Sequence, residues 1–195
     1  MRILFFFLFL TLFSCSAKQN KTSNNIDRVK SYSGNTIKKS PKDDKSNDND
    51  IKESQSDTRK EFIKLYSQPI FIDTFFVDNG KKYEILFHHF STMDSLIVPA
   101  TYNFDTNKDF TSHNFISELI LLSNKDTLFN KQITKSIFGK FLDSSLIKYA
   151  VLLYPNFYIV NDSIEIDYSI TIPVTDVGIG VVIKFDKNGN YIIER

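Results

Sequence analysis

The chain predicts a mainly β domain: an antiparallel sheet or β-sandwich of about seven to nine strands with one or two short helices. Three observations carry this. Ile164, Ile166, Tyr168, Ile170 and Ile172 alternate without error with Glu165, Asp167, Ser169 and Thr171, the period-two pattern of a strand with one buried and one wet face. Two Asn-Gly dipeptides, Asn79-Gly80 and Asn188-Gly189, mark tight hairpins, because both central residues of a type I′ turn need positive φ. From Glu61 onward, apolar and aromatic residues come in short runs separated by turn signals about every ten residues, which is strand spacing.

Taken in order, residues 58–66 have helical spacing at Phe62, Ile63 and Tyr66 and predict a short helical turn. The first Asn-Gly turn joins a strand at 70–77 to one at 82–90. A further strand is expected at 96–104, with Pro99 placing it at an edge or a bulge. Ser123-Asn124-Lys125-Asp126 reads as a third turn, between strands at 115–122 and 127–129. Thr134 is positioned to cap a short helix to Leu142 that gathers Ile137, Phe138, Phe141 and Leu142 on one side. Strands at 147–153 and 157–160 precede the alternating strand 164–172. The second Asn-Gly turn joins 181–185 to 191–193.

The first sixty residues are of another kind. Arg2 is followed by an apolar run from Ile3 to Phe13, interrupted only by Thr11, and then by Ser14-Cys15-Ser16. A short positive start, an apolar stretch too short to span a bilayer and small residues at its end form a secretory signal. Cys15 is the only cysteine in the chain. Leu12-Phe13-Ser14-Cys15 resembles the lipobox of bacterial lipoproteins, and the phenylalanine-rich run with its looser box resembles the Bacteroidetes type. That resemblance implies cleavage before Cys15, a diacylglycerol on its thiol and acylation of the new amino terminus. Two or three buried chains, at about 0.8 kcal/mol per methylene, hold a protein at a membrane effectively permanently. The lack of Asp at position 16 resembles the sorting pattern for the outer membrane, and the basic, polar Ser16–Lys21 stretch points to its periplasmic face.

Residues 16–60 contain six apolar or aromatic residues in 45, and 11 Lys and Arg against 7 Asp and Glu. Such a composition cannot form a core, so the expected organisation is a signal peptide at 1–14, a polar tether at 15–60 and a globular domain at 61–195. The domain carries 12 basic and 16 acidic side chains, an acidic balance that disfavours nucleic acid as a partner.

Few candidate sites rise from the domain. His88 and His89 point to opposite faces of one strand and do not share a metal, and His113 stands in a loop. There is no Gly-x-Ser-x-Gly, Ser-x-x-Lys, His-Glu-x-x-His or phosphate-cradling glycine loop. Asp105-Thr106-Asn107-Lys108-Asp109 opens like an EF-hand loop, but Phe110 replaces the turning glycine and Ile116 the bidentate glutamate. Hence no metal, cofactor or catalytic residue is expected. Phe and Tyr supply 22 of the domain's 135 residues, read as a compositional surplus at inward strand positions, with an aromatic platform for sugars as the other reading. Asp94-Ser95-Leu96, Asp126-Thr127-Leu128 and Asp162-Ser163-Ile164 resemble the O-glycosylation acceptor of exported Bacteroidetes proteins, which implies modification at Ser95, Thr127 and Ser163; Asp and Ser also build turns unaided.

By layout the whole chain resembles small Bacteroidetes lipoproteins of undefined role, a likeness that implies no catalytic residue. The functional expectation is a lipid-anchored, non-enzymatic binding or accessory module, held to the membrane through Cys15 and contacting an envelope protein or a glycan. It predicts an exposed apolar or aromatic patch. A small envelope hydrolase, needing a cleft where a histidine, a carboxylate and a hydroxyl converge, is one alternative. An inhibitor or immunity-type protein capping a protein partner is the other.

Overall fold

A computed structural model describes residues 57–103 and 108–195; the leader, Cys15, nearly all of the expected tether and the first acidic residue of the EF-hand-like loop lie outside them. The chain enters through α1, residues 57–64, and a 3-10 turn, Leu65–Ser67, that follows without a break. α1 therefore begins ahead of residue 61, and its Phe62 is buried against Phe110 with ring centroids 6.2 Å apart.

Ten strands follow, in three antiparallel sheets. They are β1 (Ile70–Asp78), β2 (Lys81–Ser91), β3 (Leu96–Val98), β4 (Phe110–Ser112), β5 (Phe115–Ser123), β6 (Asp126–Ile133), β7 (Val151–Val160), β8 (Ser163–Thr171), β9 (Gly178–Phe185) and β10 (Tyr191–Glu194). Sheet I runs β1-β2-β5-β6, sheet II runs β10-β9-β8-β7, and β3 pairs with β4 alone. Sheets I and II face one another across one core. Phe87 of β2 meets Phe157 of β7 at 5.5 Å, and Phe129 of β6 stacks near Phe185 of β9 at 5.9 Å. Ile85, Leu119, Leu121, Ile166, Ile170 and Ile183 between them are fully buried. The expected mainly β, antiparallel architecture is observed, as two facing sheets and a small third one, with ten strands among the described residues where about seven to nine were expected.

Turn chemistry sets the register. Asn79 and Gly80 both have positive φ, as a type I′ turn requires, and Asp78 pairs with Lys81 across it. Asn124-Lys125 and Asn161-Asp162 also have positive φ at both positions without glycine; Asn and Asp tolerate that region better than most residues, and Lys125 is held there by the hairpin. Asn188-Gly189 differs from expectation: only Gly189 has positive φ, and the loop spans five residues between Phe185 and Tyr191. Asp186 is the cause, because its carboxylate accepts from the backbone N–H groups of Asn188 and Asn190 and rounds the loop out. A Cβ on Gly189 would stand 2.9 Å from the Phe129 ring, so glycine is required there twice over.

Other expectations need correction. The strand at 96–104 stops at Val98, because Pro99 turns the chain into a 3-10 turn at Ala100–Tyr102. β4 was not foreseen. Residues 147–149, expected to open a strand, close helix α2 (Ser144–Tyr149), which Asp143 caps by accepting from the N–H groups of Ser145 and Leu146. The two strands expected at 147–153 and 157–160 are one strand, β7, with a bulge at Tyr154 and Pro155. The helix expected after Thr134 is a 3-10 helix, Lys135–Phe141, and Thr134 caps nothing: its hydroxyl bonds the Ser136 hydroxyl.

Candidate interaction surface

The histidines part company. His89 lies 4% exposed between the sheets, its Nδ1 2.9 Å from Ser117 Oγ, and the Tyr168 hydroxyl donates to the same Oγ at 2.8 Å. Burial, with a smaller contribution from the His88 charge, pushes the His89 imidazole down to about 4, so it is neutral at ordinary pH. Burial pushes the Tyr168 phenol far above its usual range. Among the described residues no carboxylate is hydrogen-bonded to this trio, and Ser117 at its centre is fully buried. His113 donates from Nδ1 to the Asp94 carbonyl and packs edge-on to Tyr66 at 4.5 Å. Asp94 loses some acidity to burial, but its bonds to Asn114 outweigh this and lower its carboxyl. That carboxylate is engaged in tying the β2–β3 connection to the β4–β5 turn. A histidine, a carboxylate and a hydroxyl do come near one another at His113, Asp94 and Thr92, but the Asp94 carboxylate there is bonded to Asn114 and the His113 Nδ1 to the Asp94 carbonyl. Among the described residues no three His, Cys, Asp or Glu side chains are grouped to hold a metal ion.

His88 points the other way, onto the outer face of sheet I, as alternation along β2 requires. There it lies stacked between Phe71 at 4.1 Å and Phe90 at 4.3 Å. The register places further apolar side chains beside this stack. Asp73 pairs with Leu86 and Leu86 with Ile120; Phe75 pairs with Glu84 and Glu84 with Leu122; Phe90 pairs with Ile116. Phe71 is 69% exposed, Val77 58%, Phe75 56% and Leu86 40%, values that belong to side chains in water. Aromatic rings are therefore not confined to inward positions, as the composition had suggested. Large exposed apolar patches on one face mark contact sites.

Two features flank this face. β1 is an edge strand of nine residues with β2 on one side and, among the described residues, no strand on the other. Beyond Ile116 opens a groove of about 340 Å³ floored by Thr92, Asp94, Asn114, Thr134, Lys135 and Ser136. Lys135 donates to the Ala150 carbonyl at 2.6 Å, and its burial lowers its basicity against a smaller opposing pull from Asp94.

The three Asp-hydroxyl-aliphatic sites differ in access. Ser95 and Thr127 are exposed, whereas Ser163 is half-buried at the start of β8. Cys15 lies outside the described residues. The outer-face residues were missed because β1 and β5 are apolar on both sides, so alternation alone does not say which side faces water. No helix among the described residues is long and apolar enough to cross a membrane. No protein-family model matches the chain, and no curated protein matches it.

Proposed function

We propose that the protein is a lipid-anchored, non-enzymatic envelope module that docks a protein partner on the outer face of sheet I. The supporting observation is the row of exposed apolar side chains Phe71, Phe75, Val77 and Leu86 on that face. A protein surface of matching apolar character removes them from water at roughly 25 cal/mol per Å². The leader sequence supports the anchor: Cys15 at the end of an apolar run is positioned for lipid, and the polar segment after it lets the domain reach away from an outer-membrane leaflet. A hydrolase has less support, since His89 is sealed in the core and Asp94 is committed to Asn114. The Phe71–His88–Phe90 stack favours one second reading, a glycan lying on an aromatic platform.

The test is crosslinking of the full-length protein in its own envelope, followed by mass spectrometry, with Phe71→Ser/Leu86→Ser and Cys15→Ala variants alongside. One stoichiometric partner, lost in both variants, is expected. A partner that survives the outer-face substitutions contradicts the reading, and binding of envelope glycan by the purified domain face in its place favours the platform.

A further inference from the structure

We propose that two copies of the chain join through their β1 edges, antiparallel about Thr74, making one eight-stranded sheet with a continuous apolar outer face. This goes beyond the docking reading and does not depend on what the face binds.

The argument begins with hydrogen-bond parity. A two-residue hairpin makes its closing residues, Asp78 and Lys81, a hydrogen-bonded pair, and such pairs then alternate along the ladder. Asp78, Phe76, Thr74, Ile72 and Ile70 consequently direct their N–H and C=O groups toward β2. Val77, Phe75, Asp73 and Phe71 direct theirs to the open edge. These are the same residues whose side chains occupy the outer face.

A second copy of β1 can satisfy all four positions in only one antiparallel register. Pairing Phe71 with Val77 of the second copy, and Asp73 with its Phe75, uses every open N–H and C=O and places Thr74 opposite Thr74 on the two-fold axis. Slipping by two residues one way sets Asp73 against Asp73, a like-charge pair that a ladder disfavours. Slipping the other way leaves Phe71 without a partner in the strand.

Charge selects the same register. Asp73 makes no ion pair among the described residues, while Lys82 Nζ, bonded on one side to Glu84 at 2.8 Å, lies 4.7 Å from the Phe75 ring centroid and can take a second carboxylate. In this register the second copy's Asp73 arrives beside Phe75, under that ammonium, and the symmetric contact repeats it. The inner side is equally matched, since Ile72 meets Phe76 of the second copy. Residues 16–60, with six apolar side chains in 45, offer a poor apolar complement to the same edge. Self-association of this kind is isologous and closes on itself, so it yields a dimer and no fibre.

The test uses the full chain in membranes. Residues facing each other across a non-hydrogen-bonded pair stand close enough for a disulfide, so Thr74→Cys is expected to give a reducible dimer under mild oxidation, mapped by mass spectrometry to Cys-to-Cys linkage at position 74. Thr111→Cys, exposed on β4, is expected to stay monomeric. Adding Asp73→Pro removes an N–H that points only to the open edge, leaving the β1–β2 ladder and the melting temperature intact, and should cut the crosslinking at least about tenfold. Asp73→Lys should weaken it similarly, and Asp73→Lys/Lys82→Glu should restore it. Crosslinking at position 74 no faster than at 111, or crosslinking indifferent to Asp73→Pro in a folded variant, overturns the proposal.

Discussion

The two sheets share one core but treat water differently on their outer sides. On sheet II the outward residues of β8 are Glu165, Asp167, Ser169 and Thr171, and across the ladder stand Lys184, Val182, Gly180 and Gly178. Lys184 reaches Glu194 at 2.8 Å and Glu165 at 3.5 Å, although Asp167 Oδ1 on the same face has no hydrogen-bond partner among the described residues and Ile192, paired with Lys184, is exposed. On sheet I the corresponding positions hold Phe71, Phe75, Val77, Leu86, Ile120 and Leu122, with Lys82 and Glu84 paired at 2.8 Å among them. An antiparallel sheet that needs only a core can alternate apolar with polar, as β8 does. β1 and β5 carry apolar residues on both sides. The difference teaches that sheet II ties most of its outer charge to itself, while sheet I leaves Phe71, Phe75, Val77 and Leu86 exposed on its outer side, and on that difference the docking proposal rests.

The sharpest way to break the comparison is to attack what the sheets share. Phe87→Ala removes a ring packed against Phe157 between them. It should cost about 3–5 kcal/mol, read as a lower urea midpoint at unchanged slope, and collapse both faces together.

Acid probes the same interior. The unfolded chain protonates His89 near the ordinary value of about 6.5. The folded protein does so only near 4, because the ring is buried. Between those values the unfolded state binds more protons, so stability is full above about pH 6.5 and falls with pH. By pH 4 the loss should reach about 3 kcal/mol. Denaturation midpoints across pH 4 to 7 measure it. His89→Phe, which keeps a ring against Phe115 and leaves Tyr168 bonded to Ser117, should flatten that slope.

The smallest effects on stability discriminate most between the faces. Lys184→Ala on sheet II and Leu86→Ser on sheet I should each shift folding by no more than about 0.5 to 1 kcal/mol, since both side chains are partly in water. Only Leu86→Ser should abolish partner binding. A cost of several kcal/mol for Leu86→Ser would mean that this face is covered from within the chain.

Much of this was legible in residues. The clean alternation of β8 and the Asn79-Gly80 turn fixed two strands and one register. What stayed hidden was short or depended on a single side chain. Asp143 caps a helix at 144–149 and so takes residues 147–149 from the expected strand, and Asp186 widens the Asn188-Gly189 turn through bonds that the dipeptide does not announce. β4 is three residues long and holds its place through pairing with β3, with too little length to show a period. The apolar outer face of sheet I was half legible: Phe75-Phe76-Val77 and the run from Leu119 to Leu122 are apolar on successive positions, which in a strand puts apolar side chains on both sides. Which side found the core was settled only by the facing sheet.

The most direct measurement is photo-crosslinking from one position on each outer face in the native envelope, a photoreactive residue at Leu86 on sheet I against one at Val182 on sheet II. Crosslinks to one defined protein from position 86, and none from 182, are the predicted result. Equal labelling from both positions, or labelling from 182 alone, would contradict the assignment of sheet I as the contact face.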